Sequence, residues 1–225
     1  MNIIHFEKID STNNYAKKHL HELQPPIIVY ADIQTKGRGR FERRFISPYG
    51  GLYMSMVLEW EEPLLNMIVP VGITEALKKI NIDASVFWPN DIYLNRKKLG
   101  GILIEMAGKI SIIGIGLNVN SRIKDFPIGL RKRITTLFHE TGKQYDITEL
   151  MVSISEEILG LAWKKEYLHS LYTEKLSGIG EKVRIEVPGE GTIDGIIKGV
   201  TEKGSLLLDT GGAIKEVCSG TIISS

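Results

Sequence analysis

Five basic side chains and two glycines lie within nine residues, 36 to 44, in the stretch QTKGRGRFERRF. Glycine lets the backbone approach an anion closely, and the arginine fork binds phosphate or carboxylate oxygens through two hydrogen bonds. No Gly-Lys-Ser/Thr closes the stretch, so it is not a Walker loop. Read alone, it predicts an anion-binding loop, with a solvated basic loop or an RNA-contacting patch as the alternative.

Three further short motifs contain residues that could bind a polar ligand: WPND (88–91), KLGG (98–101) and DSTN (10–13). WPND puts an amide and a carboxylate at a strand end, KLGG puts a lysine beside two glycines in an apolar strand, and DSTN begins a helix. Each motif also has a structural interpretation, respectively a turn, a bulge and an N-cap. Singly, none of them identifies a function.

Composition limits the function classes. The chain has 225 residues, 43% hydrophobic and 24% charged, with a formal net charge of +1. Such a balance gives no overall positive field to draw the protein onto nucleic acid, so the basic loop serves a local purpose. A single cysteine, Cys218, and no apolar run near 20 residues predict a cytoplasmic protein without a membrane segment.

The pattern of elements predicts an α+β fold. Short β-branched and aromatic runs between residues 27 and 119 suggest one sheet, with a hairpin over 91–106. Helices are predicted after Ser11, over about 66–79 despite Pro70, and after Asp146, where Glu149 completes a capping-box signature. From residue 181 onward only strands are indicated, as in a small β-barrel. We therefore expect two domains, 1–177 and 178–225.

Taken together and in order, five motifs closely resemble those of biotin protein ligases: DSTN, QTKGRGR, SPYGGLYMSM, WPNDIYLNRKKLGGILIEM and IGIGLNVN. The resemblance implies a mixed β-sheet with packed helices, similar to the class II aminoacyl-tRNA synthetase fold, followed by a small SH3-like β-barrel. Family members that also act as repressors carry an N-terminal DNA-binding domain. Because the catalytic motifs begin close to residue 1, we expect that domain to be absent and no DNA to be bound.

The resemblance implies a two-step reaction. Biotin and ATP give biotinyl-5′-AMP and pyrophosphate with Mg²⁺ as cofactor, and a lysine of a biotin carboxyl carrier protein then attacks the adenylate. The implied partners are biotin, ATP and the carrier protein, and a homodimer is left open. Clustered like charges on a glycine-rich backbone also predict that the basic loop is mobile until the adenylate forms.

The family match assigns roles to individual positions. Arg40, Lys98 and Asp91 are the expected catalytic residues, and Asp91 is also the expected Mg²⁺ ligand or the group that assists the attacking lysine. The expected biotin-binding residues are Ser11, Thr12, Asn13, Gln34, Gly37, Arg38, Tyr53, Lys98 and Gly101. The expected nucleotide-binding residues are Arg40, Arg43, Arg44, Phe45, Asn90 and Asn118.

The chain departs from the family pattern at the basic loop, where Phe41 and Glu42 stand at positions that are Arg-Gly in many relatives. Two other functions compete with the biotin ligase. A lipoate protein ligase shares the fold and the adenylate chemistry, but the GRGR loop and the WPND and KLGG motifs fit the biotin branch better. An RNA-binding module is disfavoured by the near-zero net charge and by the lack of an aromatic RNA-binding strand.

Overall fold

The computed structural model describes residues 1–224, and the chain divides into two compact units. The first unit comprises Met1–Glu62 and Tyr93–Glu156, and the second comprises Pro63–Ile92 and the chain from Glu157 onward. Each unit is therefore assembled from two separate segments of the sequence.

The first unit is built on strands of a mixed sheet. Its strands are β1 (Asn2–Ile9), β2 (Ile27–Gln34), β3 (Leu52–Glu59), β6 (Lys97–Ala107), β7 (Ile110–Leu117) and the end of β5 (Asp91–Leu94), which crosses the unit boundary. Strand β4 (Ser85–Phe87) belongs to the second unit. Within the first unit the hydrogen-bonded order is β1-β2-β3-β7-β6-β5. Strands β1 and β2 pair in parallel, while β2–β3, β3–β7 and β6–β7 are antiparallel.

Helix α1 (Thr12–Lys18) packs its buried side on the sheet of the first unit. Ala16 joins Val29, Val57 and Ile112, contributed by three neighbouring strands, in one buried apolar cluster. Burial of each valine or isoleucine side chain in this cluster stabilises by roughly 1.5–3 kcal/mol, and the Ala16 contact fixes α1 against the sheet. The predicted mixed sheet with packed helices is confirmed.

Local signals in the sequence account for several element ends. Ser11 caps α1, its hydroxyl accepting the Asn14 N–H at 3.4 Å. The Asp146 carboxylate accepts the N–H groups of Thr148 and Glu149, at the start of a helix spanning Ile147–Leu161. Strands β5 and β6 are joined by two residues with positive φ, Asn95 and Arg96, as a two-residue hairpin turn requires. The predicted hairpin and both caps are therefore confirmed.

The second unit combines helices with an antiparallel sheet. Its helices are α2 (Leu65–Lys79), the last part of α4 (Ile147–Leu161) and α5 (Leu168–Lys175), while α3 (Leu137–Thr141) lies in the first unit. Its strands are β8 (Lys182–Val187), β9 (Gly191–Val200), β10 (Leu206–Asp209), β11 (Ile214–Val217) and β12 (Thr221–Ser224). The last five strands form one sheet in the order β11-β10-β9-β8-β12, an order with two ends rather than a closed ring.

Within residues 1–224, no helix is long and apolar enough to cross a membrane.

Candidate active site

The basic loop folds back on itself between β2 and β3. Gly39 donates its N–H to the Arg43 carbonyl at 2.7 Å, and Phe45 donates to the Gly37 carbonyl at 2.8 Å. A Cβ on Gly37 would lie 2.6 Å from the Phe45 carbonyl oxygen and 2.7 Å from Ser47 Oγ. Glycine is therefore required at 37 for the loop to close upon itself, a role that sequence reasoning had given to ligand approach.

The tip of the loop has an unfavourable backbone. Residues 40–42 form a short 3₁₀ turn in which Phe41 and Glu42 have φ of 54° and 55°, in the left-handed region. A side chain in that region costs roughly 1–2 kcal/mol, which glycine avoids. Phe41 and Glu42, the two residues that depart from the expected Arg-Gly pattern, therefore strain the turn. Arg40 rests its guanidinium 5.0 Å from the centre of the Phe41 ring.

Thr12 and Gln34, two of the predicted biotin-binding residues, are in direct contact. The Thr12 N–H and hydroxyl both donate to Gln34 Oε1, at 2.9 and 3.2 Å. The other end of the amide donates through Nε2 to Ser47 Oγ at 3.1 Å. Since Ser11 caps the same helix, three of the predicted biotin-binding residues, Ser11, Thr12 and Gln34, lie together at the start of α1.

Ser55, which sequence reasoning missed, is fully buried beside this cluster. Its hydroxyl lies 2.8 Å from Thr12 Oγ1 and 2.6 Å from Asn13 Oδ1. Thr12 Oγ1 also contacts Gln34, so two hydroxyl protons must serve three close contacts between oxygens. The only sequence signal was a lone serine inside the apolar strand LYMSMVLE.

Asn13 faces the sheet. A Cβ on Gly114 would collide with its amide oxygen, and its Nδ2 donates to the Leu103 carbonyl at 3.3 Å and to Glu105 Oε2 at 3.1 Å. These contacts use both ends of the amide. They give Asn13 an internal role and leave the predicted contact with biotin without direct support.

Glu105, a second residue missed from the sequence, gathers basic side chains. Lys17 Nζ donates to Oε1 at 3.2 Å, and Arg38 Nη2 donates to the two carboxylate oxygens at 3.3 and 3.1 Å. Burial raises the pKa of the Glu105 carboxyl, but the hydrogen bonds from Asn13 and Lys17 and the charge of Arg38 outweigh it, so the pKa lies below its ordinary value. The carboxylate is therefore ionised at neutral pH.

Phe45 packs against strands β3 and β7. Its ring meets that of Tyr53 edge to face, with centroids 6.4 Å apart, and a Cβ on Gly116 would lie 2.6 Å from the Phe45 ring. Gly116 pairs with Tyr53 on one side and with Gly101 on the other. Phe45, predicted for the adenine, thus lies among residues predicted for biotin. The buried Tyr53 hydroxyl donates to the Pro48 carbonyl at 2.8 Å, and burial raises its pKa.

The KLGG motif has its explanation in the pairing of β6 with β7. A Cβ on Gly100 would collide with the Gly116 carbonyl oxygen and the Leu117 side chain. The glycine therefore permits close approach of a neighbouring backbone. Lys98, half-buried, donates its N–H to the Arg133 carbonyl and accepts the Thr135 N–H, both at 2.9 Å.

Asn118 leaves a buried acceptor unused. Its N–H donates to the Leu99 carbonyl at 2.8 Å and its Nδ2 donates to the Thr135 carbonyl at 3.0 Å. The side chain is buried, yet Oδ1 has no hydrogen-bond partner among the described residues. An orphaned buried acceptor is costly and marks a place where a ligand donor would be stabilising.

Four predicted residues are still to be placed: Arg43, Arg44, Asn90 and Asp91. Arg43 and Arg44 are exposed on the loop. Asn90 and Asp91 belong to the second unit, where Asp91 is half-buried as the first residue of β5. Among residues 1–224 no group of three or more His, Cys, Asp or Glu side chains could hold a metal by itself.

A separate cavity of about 590 Å³ lies in the first unit. Its walls include Tyr30, Asp32, Tyr49, Arg122 and Lys124. Because none of the predicted ligand-binding residues lines this cavity, it is distinct from the cluster around Thr12 and Gln34.

Two family models match the chain. Residues 5–120 match the Biotin/lipoate A/B protein ligase family, and residues 178–224 match the Biotin protein ligase C terminal domain. The chain therefore belongs to the Biotin/lipoate A/B protein ligase family. The C-terminal match lies far from the basic loop in the sequence and is independent of it. This second match places the chain on the biotin protein ligase branch of the family.

Individual relatives agree with this assignment. The Bifunctional ligase/repressor BirA of Bacillus subtilis is 32% identical over 98% of this chain and 73% of its own length. Biotin--protein ligase 2 of Arabidopsis thaliana is 30% identical over 88% of this chain and 67% of its own length. Among solved structures, the biotin protein ligase of Aquifex aeolicus in complex with biotin and ATP is 36% identical, with a TM-score of 0.90 over 100% of this chain and 99% of that chain.

Proposed function

We propose that this chain is an ATP-dependent ligase that activates biotin as biotinyl-5′-AMP and transfers biotin to a specific lysine of a biotin carboxyl carrier protein. The observation that carries the proposal is the likeness, over both whole chains, to the Aquifex aeolicus ligase solved with biotin and ATP. The contacts around Thr12 and Asn118 support it independently, because each fits one part of the two ligands.

The ring of biotin fits the cluster at the start of α1. Its ureido group offers two N–H donors and one carbonyl acceptor. Thr12 Oγ1 donates to Gln34 and accepts from Ser55, so its second lone pair can accept a ligand N–H. Gln34 Nε2 has two protons and one acceptor, Ser47, among the described residues, which leaves one N–H for the ureido carbonyl. We assign ring recognition to Ser11, Thr12 and Gln34.

The reacting end needs positive charge. A carboxylate resists attack by an amine, so the biotin carboxylate first attacks the α-phosphorus of ATP and pyrophosphate leaves. The biotin carboxylate and ATP are both anions and repel each other, and further negative charge builds up on the phosphate oxygens in the transition state. Positioned cations stabilise both arrangements. Arg40, Arg43, Arg44 and Lys98 are the residues we assign to this role. In the second step the carrier lysine attacks the acyl carbon and AMP leaves.

The adenine fits the unused acceptor of Asn118. Adenine carries an exocyclic amino group that donates, whereas guanine presents a carbonyl at the same ring position. A donor facing Asn118 Oδ1 would satisfy an atom that is otherwise buried without a partner. This supports Asn118 as a nucleotide contact. Phe45, next to Tyr53, would then cover the junction of the two ligands.

Mg²⁺ is the cofactor that the adenylation chemistry implies. It is typically held by one or two carboxylates together with substrate phosphates, so a single carboxylate at Asp91, next to the Asn90 amide, is a sufficient protein contribution. When bound, the ion would neutralise phosphate charge. The same carboxylate would otherwise assist the incoming lysine.

Several further expectations are proposals of the same kind. A domain boundary at residue 177 is supported by the family match that begins at 178. An SH3-like character of the last domain and a cytoplasmic location remain predictions, and a homodimer stays open. Gly37, Arg38, Tyr53 and Gly101 are assigned to the biotin side of the site.

The deciding experiment is isotope exchange between pyrophosphate and ATP with Mg²⁺ present. Exchange should depend on biotin and should not be supported by lipoate. Exchange that proceeds equally without biotin excludes the proposed reaction, and exchange with lipoate alone identifies the other branch of the family.

A further inference from the structure

Arg38 has its positive charge balanced inside the protein. Its Nη2 donates to both oxygens of Glu105, and its Nη1 donates to Glu42 Oε1 at 2.9 Å. With Lys17 also on Glu105, two cations meet two carboxylates. The guanidinium of Arg38 is therefore neutralised before any ligand anion arrives.

Burial separates the two acidic partners of Arg38. The side chains of Arg38 and Glu105 are 22% and 18% exposed, whereas that of Glu42 is 80% exposed. Exposed ion pairs contribute little, because water and salt screen them, while breaking a mostly buried pair strands a charge. The contact with Glu105 is thus the one that can hold Arg38 in place.

Glu105 joins two parts of the site that are far apart in the sequence. Asn13 and Lys17 reach it from α1, which begins with the predicted ring-binding residues. Arg38 reaches it from the loop, between two glycines whose backbone groups pair with Phe45 and Arg43. Fixing the Arg38 side chain therefore fixes the paired base of the loop.

We propose that Glu105 is a positioning residue, which holds the basic loop against α1 through Arg38 and prepares the loop for ligand. The inference rests on the proposed function and deepens it: the Nη1 and Nη2 groups of Arg38 anchor the loop internally, while its buried Nε, which has no hydrogen-bond partner among the described residues, is left for the ligand. Glu105 itself touches no substrate. Its removal should raise the cost of ordering the loop when ligand binds.

The test uses the full chain without ligand and measures chymotrypsin cleavage after Phe41, whose side chain is 54% exposed. Glu105→Gln should be cleaved about tenfold faster or more than wild type, since contacting residues couple by amounts of that order. Glu105→Asp should recover most of the protection. The matched control is Glu157→Gln, which removes a carboxylate of similar exposure, 24%, from an ion pair with Lys79.

If Glu105→Gln folds poorly, Arg38→Met tests the same contact from its other side. Arg38→Met should raise the rate of cleavage after Phe41 to a similar extent, and the double variant should be cleaved no faster than the more sensitive single variant. In the exchange reaction, Glu105→Gln should raise the KM for ATP about tenfold and leave kcat within about threefold, because ordering is needed for binding rather than for the chemical step.

Cleavage of Glu105→Gln and Arg38→Met at the wild-type rate overturns the inference. So does equal acceleration in Glu157→Gln, which would indicate general destabilisation. Failure of the proposed function has a different signature, namely wild-type protein without biotin-dependent exchange, and it leaves the cleavage comparison unaffected.

Discussion

The side-chain oxygen of Gln34 accepts two hydrogen bonds from a single residue, Thr12, one from its N–H and one from its hydroxyl. This arrangement ties the end of β2 to the first residue of α1. It also turns the Gln34 amide so that Nε2 points to Ser47, which leaves one amide proton for a ligand.

Replacing Gln34 by leucine should therefore weaken biotin use selectively. The N–H and hydroxyl of Thr12 lose their acceptor and biotin loses a donor, at about 1–3 kcal/mol for each buried group left unpaired. We expect the KM for biotin to rise by about tenfold to several hundredfold in the exchange reaction. Gln24→Leu, at an exposed position, is the control and should leave biotin use unchanged. An unchanged KM in Gln34→Leu would remove this residue from the ring pocket.

Lys98→Ala should slow formation of the adenylate. A cation beside the reacting oxygens acts most strongly in the transition state, and loss of one such donor commonly lowers kcat by about 10²–10³. The neighbouring variant Lys97→Ala supplies the comparison for loss of a lysine from the same strand. Rapid-quench measurement of biotinyl-5′-AMP checks this, and wild-type rates in Lys98→Ala would make Lys98 a structural lysine.

Gly116→Ala should disturb the packing of Phe45. The added Cβ would lie 2.6 Å from the Phe45 ring, so the ring and the loop that carries it must move. Overpacking of this kind costs about 1–3 kcal/mol of unfolding free energy. Gly129→Ala is a suitable control because no atom lies within 4 Å of its added Cβ. Denaturant unfolding of both variants decides the point, and equal stabilities would contradict it.

The contribution of Glu105 to stability should depend on pH in a defined direction. Its pKa is lowered in the folded protein, where Lys17 and Arg38 face the carboxylate. A lowered pKa means that the stabilisation is complete above the unfolded value, about 4.3, and is lost as pH falls through the lower folded value. The difference in unfolding free energy between wild type and Glu105→Gln should therefore shrink from about pH 6 toward pH 3. A difference that widens on acidification would show that the carboxylate is not stabilised by these cations.

Local signals made much of the fold predictable. The caps at Ser11 and Asp146 and the hairpin turn at Asn95 and Arg96 each depend on residues adjacent in sequence, and each was predicted. Strand β1 was missed: it lies at the end of the sheet order, most of its side chains are exposed, and its parallel pairing with β2 has no local signature. Helices α3 and α5 are short and were also not predicted.

The candidate site divides in a similar way. Arg38, Gln34 and Asn118 were predicted because they stand in motifs that resemble a known family. Ser55 and Glu105 were not, since each is a single polar residue in a strand and gains its role only when β3 and β6 both pair with β7. Register between strands distant in sequence cannot be read from either strand alone.

The ring of Phe45 rests on the bare peptide of Gly116, and Gly100 faces the carbonyl of that same residue across the pair of strands. At Gly100 and Gly116 the surface of the sheet is therefore formed by main-chain atoms instead of side chains. A surface made of peptide groups cannot be reshaped by exchanging one side chain for another, and glycine is the only residue that preserves it. Substitutions that change substrate preference should accordingly be found in residues such as those of the loop tip, 40–42. Gly100 and Gly116 should stay unchanged among variants that remain active.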